Sequence, residues 1–314
     1  MSHKSEIQVL KGVSRSFYLT LRLLPAPMRG AASLAYLLAR TSDTLADITR
    51  TPTELRREWL DRFDQAIAAS LPPPRWPVSL LNAIPDPRER RLLEASDDLF
   101  LWLARLPEPE AALVREVLAI IIGGQQLDLH RFAHATQDNP VALTDDPALE
   151  DYTWRVAGCV GAFWTQLGFL TLGERFSRTS LSNLLDKGVL FGKGLQLVNI
   201  LRDLPADLAT GRCYLPVADP YDPQTMLEAR DRWLERAWEW VGEGFSYALS
   251  LESRRLRAAS VLPALLARET LARLRGTDWQ DPQQRVKVPR TRVYLLLARA
   301  LFGKQHDNTR AIAS

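Results

Sequence analysis

The sequence is poor in cysteine, and this excludes two classes of stabilised protein. Cys159 and Cys213 are its only thiols among 314 residues. Two thiols provide neither a disulfide framework nor the ligand set of a structural zinc site, so a reducing compartment is expected. The first residues, MSHKSEIQVLKGVSR, lack the apolar core of a signal peptide. Together these features predict a cytoplasmic protein.

An excess of charge of one sign is also missing. The chain has 40 Lys and Arg residues against 37 Asp and Glu residues, which gives a formal net charge of +3. So small a charge argues against nucleic acid or an anionic membrane as the main partner. With 46% apolar and 25% charged residues, the composition is that of a soluble globular protein.

Long apolar runs are scarce, with one exception. Residues 156–173 carry no charge over 18 positions, which is the lower limit for a helix that crosses a membrane. The run is rich in small residues and contains Gln166, and Asp151 and Arg155 come just before it. We therefore predict a buried helix that lines an apolar cavity, rather than a membrane span.

Strand-like alternation is nearly absent, and apolar residues recur with the period of an α-helix. The segment 71–87 contains six prolines and is predicted to be a surface connection. We predict an all-α bundle in one domain over residues 1–314, with its core at about 14–302 and a polar tail at 303–314. The predicted helices are 28–47, 53–70, 88–105, 108–134, 149–172, 181–204, 223–250, 252–275 and 286–302.

Two pairs of aspartates have the spacing of one helical turn. Asp43 and Asp47 form the first pair, and Asp203 and Asp207 form the second. Residues four apart lie on one helix face, where like charges repel by roughly 0.2–0.5 kcal/mol. Carboxylate oxygens are the ligands that Mg²⁺ prefers, and the ion commonly completes its shell with water and substrate phosphate. The two pairs therefore predict a Mg²⁺ site for a diphosphate substrate.

Each pair also has a simpler interpretation. The segment Thr41-Ser42-Asp43-Thr44 could cap the start of a helix, because short polar side chains satisfy free backbone N–H groups. Asp203 and Asp207 could be solvated surface carboxylates. For the second pair the apolar context indicates instead a largely buried helix, where unpaired carboxylates are costly. The apolar residues around it are Leu195, Leu197, Val198, Ile200 and Leu201.

The acidic pairs belong to a longer ordered series of motifs. The series is Ser14-Arg-Ser-Phe17, Tyr36-x-x-x-Arg40-x-x-Asp43-x-x-x-Asp47, Gln196-x-x-Asn199-Ile-x-Arg202-Asp203-x-x-x-Asp207, and Gly211-Arg212. Two weaker segments agree with it, Gly124-Gln-Gln-Leu-Asp128 and Tyr152 followed by Val156-Ala-Gly-x-Val-Gly161. From about residue 14 to residue 299, the chain resembles the squalene/phytoene synthases, which join two isoprenoid diphosphates head to head. The resemblance implies an isoprenoid-synthase-type helical bundle around a central apolar cavity.

The resemblance also implies roles for individual residues. Tyr152 would lie near the departing diphosphate and act in catalysis together with Asp43 and Asp203; its alternative role is to cap a buried helix. The four implied metal ligands are Asp43, Asp47, Asp203 and Asp207. The implied substrate-binding residues are Ser14, Arg15, Tyr36, Arg40, Gln196, Asn199, Arg202 and Arg212.

Two further basic residues, Lys287 and Arg290, occupy the region where family members place groups near phosphate or the nicotinamide cofactor. A solvated helix start explains them equally well. Arg212 likewise has an alternative as part of a surface turn, and Ser14 and Arg15 as part of a polar turn. The chain contains no nucleotide-binding fingerprint, so NADPH as a cofactor depends on the resemblance alone.

The sequence departs from the family pattern at three positions. Thr44 stands where many members have a second Asp, a variant also found in eukaryote-type squalene synthases, and Ala206 stands where many have Glu. Pro205 removes the N–H that would bond to the Leu201 carbonyl. We therefore expect the helix to bend or end at Pro205, which weakens the same-face argument for Asp207.

The function implied by the resemblance is Mg²⁺-dependent condensation of two farnesyl diphosphates, through presqualene diphosphate, to squalene with NADPH. Three alternatives remain open: phytoene synthesis from geranylgeranyl diphosphate, a reaction that stops at presqualene diphosphate, and a non-catalytic assembly protein. The apolar product implies peripheral contact with a membrane. No nucleic-acid partner is expected, and the sequence leaves the oligomeric state open.

Overall fold

The computed structural model describes residues 16–48, 51–276 and 286–302. These residues are predominantly helical, which confirms the all-α prediction. The helices are α1 (Ser16–Leu23), α2 (Ala26–Asp47), α3 (Thr53–Ala68), α4 (Val78–Ala83), α5 (Pro87–Glu94), α6 (Ser96–Arg105), α7 (Glu108–Arg131), α8 (Asp146–Thr153), α9 (Cys159–Leu172), α10 (Leu181–Leu208), α11 (Pro223–Leu249), α12 (Arg254–Arg275) and α13 (Arg290–Phe302). A π-helical turn (Trp154–Gly158) joins α8 to α9, and a short 3₁₀ turn (Gly173–Arg175) comes after α9.

The described residues group into two compact units. The first contains the chain up to His130 together with Gln166–Leu172. The second contains Arg131–Thr165 and the chain from Gly173 onward. The prediction of a single domain therefore stays a prediction.

Helix α2 is the centre of the first unit. It contacts α1, α3, α5 and α6 and buries Leu34, Leu37, Leu38 and Leu45. Their spacing matches the 3.6-residue period, so one broad apolar face enters the core and leaves a polar face for other uses. In the same unit, the ring of Phe63 on α3 packs against the rings of Trp76 and Phe100.

The second unit is built on α10, α11 and α12, which all contact one another. Glycines allow α9 and α10 to approach at backbone distance. A Cβ at Gly161 would lie 1.9 Å from the carbonyl oxygen of Gly188, so neither helix could carry a larger residue at this crossing. A minimal parallel sheet joins β1 (Val141–Ala142) to β2 (Arg212–Cys213).

Three helix predictions are wrong in detail. The segment 71–87 is not only a connection, because α4 forms there after Pro77 and buries Leu80. The predicted helix 88–105 is two helices that meet at Ala95. Helix α10 continues past its predicted end at Leu204 to Leu208, so of the bend or end expected at Pro205 the end does not occur. Pro205 lies in the last turn, where its ring costs one backbone hydrogen bond while the apolar face of the helix stays packed.

One helical segment, Asp146–Arg175, is long and apolar enough to cross a membrane by length and composition alone, with 33% of its apolar window buried. The run predicted to be a buried helix is therefore more exposed than expected. Small residues such as Gly161 form one side of this helix and contact α10. Many of the other residues in the run are only partly buried. This is weak evidence for a membrane span, because core helices of soluble proteins meet the same criteria.

Candidate active site

The first acidic pair lies on the polar face of α2. Tyr36, Arg40, Asp43 and Asp47 recur at intervals of three and four residues within one continuous helix, and none of them is fully buried. They therefore share a face.

The helix-cap interpretation of this pair is wrong, because these residues lie near the end of α2 and not at its start. The Thr41 hydroxyl donates to the Leu37 carbonyl at 2.9 Å. The Thr44 hydroxyl donates to the Arg40 carbonyl at 3.0 Å. Both hydroxyls bond back along the helix, as is common for threonine in a helix interior. The carboxylates of Asp43 and Asp47 are therefore not needed as caps.

Asp43 is held by two neighbours. Gln125 on α7 donates from Nε2 to Asp43 Oδ1 at 2.6 Å, and Arg40 Nη1 lies 3.7 Å from Oδ2. Burial raises the pKa of Asp43 to about 6, and the charge of Asp47 acts in the same direction. Arg40 and Gln125 favour the ionised form but do not outweigh these effects. An ionised Asp43 beside Asp47 would thus gain from a bound cation.

Arg40 bridges two acidic residues. Its Nη2 forms a short ion pair with Glu89 of α5, and its Nη1 faces Asp43. The Arg40 side chain keeps a third of its surface exposed. Arg40 can therefore meet a substrate oxygen while one side remains fixed by Glu89.

The second acidic pair lies on α10, whose apolar face is packed as the sequence indicated. Leu197, Val198, Ile200 and Leu201 are all buried. Asp203 and Asp207 lie four apart in the same continuous helix and are both partly exposed. The helix continues through Pro205, so the same-face argument applies to Asp207 more strongly than the sequence indicated.

Polar side chains beside this pair contact one another. Arg202 donates from Nε to Asp203 Oδ1 at 2.9 Å and from Nη2 to Oδ2 at 2.6 Å, and this bidentate bond raises the pKa of Arg202. One turn earlier, Asn199 Nδ2 donates to Gln196 Oε1 at 3.3 Å. Asp203 therefore has its charge matched by its own neighbour, and a metal ion would have to displace that contact.

Tyr152 is buried close to the π-helical turn. Its ring stacks on Tyr214, with centroids 4.7 Å apart, and Tyr214 in turn meets the edge of Phe132 at 5.1 Å. Single π-turns inside helices are frequent at functional sites. Arg212, two residues before Tyr214, lies on β2 and is half-buried.

An ion pair that was not predicted lies close to Tyr152 in the chain. Lys193 Nζ donates to Glu150 at 2.8 Å and lies 4.3 Å from the ring centroid of Trp240. The Lys193 side chain is almost fully buried. The pair links α8 to α10 one turn before Gln196, and so fixes the helix that carries the second acidic motif.

Several predicted site residues fall outside the described part of the chain. Ser14 and Arg15 precede the described residues, and the side chain of Arg290 also lies outside them. Lys287 is exposed, in an irregular segment that precedes α13. Their predicted roles remain predictions.

Within the described ranges, no three His, Cys, Asp or Glu side chains cluster as a complete metal site. Mg²⁺ is commonly held by one or two carboxylates together with water and substrate phosphates, so pairs of aspartates suit it. The raised pKa of Asp43 and the partial exposure of Asp43, Asp47, Asp203 and Asp207 fit such a role. The metal assignment itself stays a prediction.

Two residues of the first unit were missed as candidates. Gln125 occurs in a motif that was noted, but its contact with Asp43 joins residues 82 positions apart. Glu89 lies 49 positions from its partner Arg40, in a helix with no distinguishing pattern. No local signal in the sequence predicts either contact.

Comparison with known proteins places this geometry in a family. The family described as squalene/phytoene synthase matches residues 10–292. The presqualene diphosphate synthase of Zymomonas mobilis is 29% identical over 302 residues, which cover 91% of this chain and 89% of that protein. The bifunctional lycopene cyclase/phytoene synthase of Phaeosphaeria nodorum is 30% identical over 208 residues, 66% of this chain. That match spans only 33% of the bifunctional relative.

The fold agrees with solved structures. The ligand complex of the squalene synthase TcSQS superposes with a TM-score of 0.78 at 22% sequence identity, covering 99% of this chain and 90% of that one. This likeness concerns the fold and confirms the isoprenoid-synthase type of bundle. With the family match over nearly its whole length, the chain belongs to the squalene/phytoene synthase family.

Proposed function

We propose that this protein joins two molecules of farnesyl diphosphate head to head to form presqualene diphosphate. The observation that carries the proposal is the first acidic pair, in which the partly exposed Asp43 lies beside Asp47 and Arg40. The similarity to a presqualene diphosphate synthase over 91% of the chain supports the choice of reaction. Reduction to squalene with NADPH is the further step that the family resemblance implies.

The proposed reaction forms two C–C bonds and breaks a C–O bond, a C–H bond and the π bond of one alkene. The C1–O bond of the first substrate breaks and its diphosphate leaves. C1 then bonds to both carbons of the C2=C3 double bond of the second substrate and loses one proton, which closes a cyclopropane. The product keeps the second diphosphate, so one diphosphate and one proton are released. Mg²⁺, when bound, neutralises the charge that develops on the departing group.

The protein's own residues bind and orient the diphosphates. Asp43, Asp47, Asp203 and Asp207 are the proposed metal ligands. Arg40 and Arg202 provide planar donors to diphosphate oxygens; Arg40 can do so while it keeps Glu89, whereas Arg202 must leave Asp203. We assign Tyr152 to the side of the departing diphosphate.

Six further residues are proposed to bind the substrate. Gln196 and Asn199 would orient the diphosphate one turn before the second acidic pair. Tyr36, Arg212, Ser14 and Arg15 complete the proposed set. Lys287 and Arg290 are proposed for NADPH, which rests on the family resemblance. The proposal extends to a cytoplasmic enzyme that delivers an apolar product to a membrane surface.

A product assay tests the proposal. Purified protein receives Mg²⁺ and either farnesyl or geranylgeranyl diphosphate, each with and without NADPH, and products are analysed by gas chromatography–mass spectrometry after dephosphorylation. We expect presqualene alcohol from farnesyl diphosphate, and squalene on addition of NADPH if this chain also carries the reduction. The Asp43→Asn/Asp203→Asn double variant should be inactive, and Asp186→Asn, an exposed position on α10, should be fully active.

Other outcomes distinguish the alternatives. Phytoene from geranylgeranyl diphosphate would favour the carotenoid reaction, to which the similarity with a phytoene synthase points. No product from either substrate, together with no Mg²⁺-dependent thermal shift with a diphosphate analogue, would indicate a non-catalytic assembly protein and refute the proposal.

A further inference from the structure

Gln125 makes a close hydrogen bond to the first acidic pair. Its amide is half-buried on α7 and donates to Asp43 Oδ1 at 2.6 Å. A hydrogen bond to an ionised acceptor is roughly twice as strong as one between neutral groups. Gln125 therefore contributes more to the orientation of Asp43 than a contact of apolar groups would.

The oxygen end of the same amide is a buried acceptor. Gln125 Oε1 is buried and accepts no hydrogen bond from any residue that the structure describes. Leaving a buried acceptor unsatisfied costs about 1–3 kcal/mol. Native structures leave few such groups without a reason, and one directly beside a candidate metal ligand suggests an acceptor for a group that binds there.

The two carboxylate oxygens of Asp43 have different contacts. Oδ1 is engaged by Gln125, whereas Oδ2 faces Arg40 Nη1 at 3.7 Å, too long for a hydrogen bond. Arg40 is meanwhile paired with Glu89. Oδ2 is thus the oxygen that can accept a cation, and Gln125 fixes the carboxylate in the rotation that presents it.

We propose that Gln125 is a positioning residue for the metal at Asp43. Its Nε2 orients the carboxylate so that Oδ2 binds the ion, and its Oε1 accepts a hydrogen bond from a water in the shell of that ion. Mg²⁺ keeps several waters when bound to proteins, and groups that hydrogen-bond to ligands commonly change metal affinity about 10–100-fold when mutated. This inference rests on the proposed function, because that function requires the ion.

The next residue provides a matched control. Gln126 is on the same helix, but its Nε2 contacts Asp61 and the carbonyl of Arg57 instead of Asp43. Methionine has nearly the length and volume of glutamine and lacks both polar ends. Gln125→Met and Gln126→Met therefore remove the same groups at neighbouring positions, and only the first removes the contact with Asp43.

The experiment measures metal binding directly. Mn²⁺ replaces Mg²⁺, inorganic diphosphate is present, and free Mn²⁺ is monitored by electron paramagnetic resonance for the full-length protein. For Gln125→Met we expect the Kd for Mn²⁺ to rise about 10-fold, by analogy with other residues that support metal ligands. Gln126→Met should bind as the wild type does. In the product assay the KM for Mg²⁺ should rise while kcat at saturating Mg²⁺ changes little.

Each outcome decides the proposal. Wild-type affinity in Gln125→Met would refute it and leave the proposed function standing, because a space-filling role would tolerate methionine. Absence of Mn²⁺ binding by the wild type would refute both. Should Gln125→Met not fold, Gln125→Asn, which keeps the amide but shortens its reach, carries the same expectation. Failure of both variants to fold would refute a positioning role in favour of a structural one.

Discussion

Replacing Asp43 by Asn should stabilise the metal-free protein, and the gain should depend on pH. Asn keeps the shape of the side chain and an oxygen that can accept from Gln125, but it removes the charge. Burial and Asp47 raise the pKa of Asp43 from 3.8 to about 6. A group whose pKa is higher in the folded state favours folding in acid and loses this contribution as the pH rises through the folded value.

The magnitude is set by the shift and the exposure. A rise from 3.8 to about 6 would correspond to about 3 kcal/mol at full effect. The Asp43 side chain is 44% exposed, however, so solvent screens much of this. We therefore expect about 1 kcal/mol, or about 2 °C in Tm for a chain of this size.

Thermal unfolding in EDTA between pH 4 and pH 7.5 measures the effect. The Tm of Asp43→Asn relative to the wild type should increase from pH 4 to about pH 6.5 and then stay constant. Differences that do not depend on pH, such as altered packing, cancel in this comparison. Asp186→Asn, which removes an exposed carboxylate of α10, should show no such trend.

Addition of Mg²⁺ with inorganic diphosphate should reverse the order at pH 7.5. The wild type gains stability by binding the ion, and the variant has lost a ligand. A relative Tm of Asp43→Asn that falls with rising pH in EDTA would refute the reasoning, since it would mean that the ionised carboxylate is favourable without a metal.

Three other predictions concern packing, substrate binding and thiol reactivity. Gly161→Ala should lower Tm strongly, by the equivalent of about 3 kcal/mol or more, because its Cβ would lie 1.9 Å from a backbone oxygen; Gly30→Ala, with open space around it, should be neutral or slightly stabilising. Arg202→Lys should raise KM for the diphosphate substrate about 10-fold with little change in Tm, since lysine lacks the bidentate fork; unchanged kinetics would contradict the assignment. Burial raises the pKa of Cys159 to about 12 and that of Cys213 to about 11. The native protein at pH 8 should therefore not react with a thiol reagent within minutes, whereas in the denatured protein two thiols per chain should react.

The parts of the fold that could be predicted are those encoded by local periodicity. The spacing of Tyr36, Arg40, Asp43 and Asp47 predicted the helix and the shared face, and the apolar residues before Asp203 predicted a buried helix. The helix break at Ala95 was missed because residues on both sides have helical propensity. At Ala95 the backbone leaves the helical conformation, with φ −86° and ψ 9°.

The parts of the site that could not be predicted are contacts between distant segments. Gln125 meets Asp43 across 82 positions, and Glu89 meets Arg40 across 49 positions. Such contacts depend on how separate helices come together in the fold. The helix end at Pro205 was wrong for a related reason. The local cost of proline argues for a bend or an end, but the helix continues to Leu208 and Leu204 beside the proline is buried.

The π-turn at Trp154–Gly158 has a consequence for how this segment tolerates change in length. One extra residue in a turn rotates the preceding helix by about 100° relative to the helix on its C-terminal side. Deletion of a single residue there would restore a regular α-helix while rotating Tyr152 away from Tyr214. Deleting one residue would thus make the local helix more regular and at the same time turn the Tyr152 side chain away from its stacking partner.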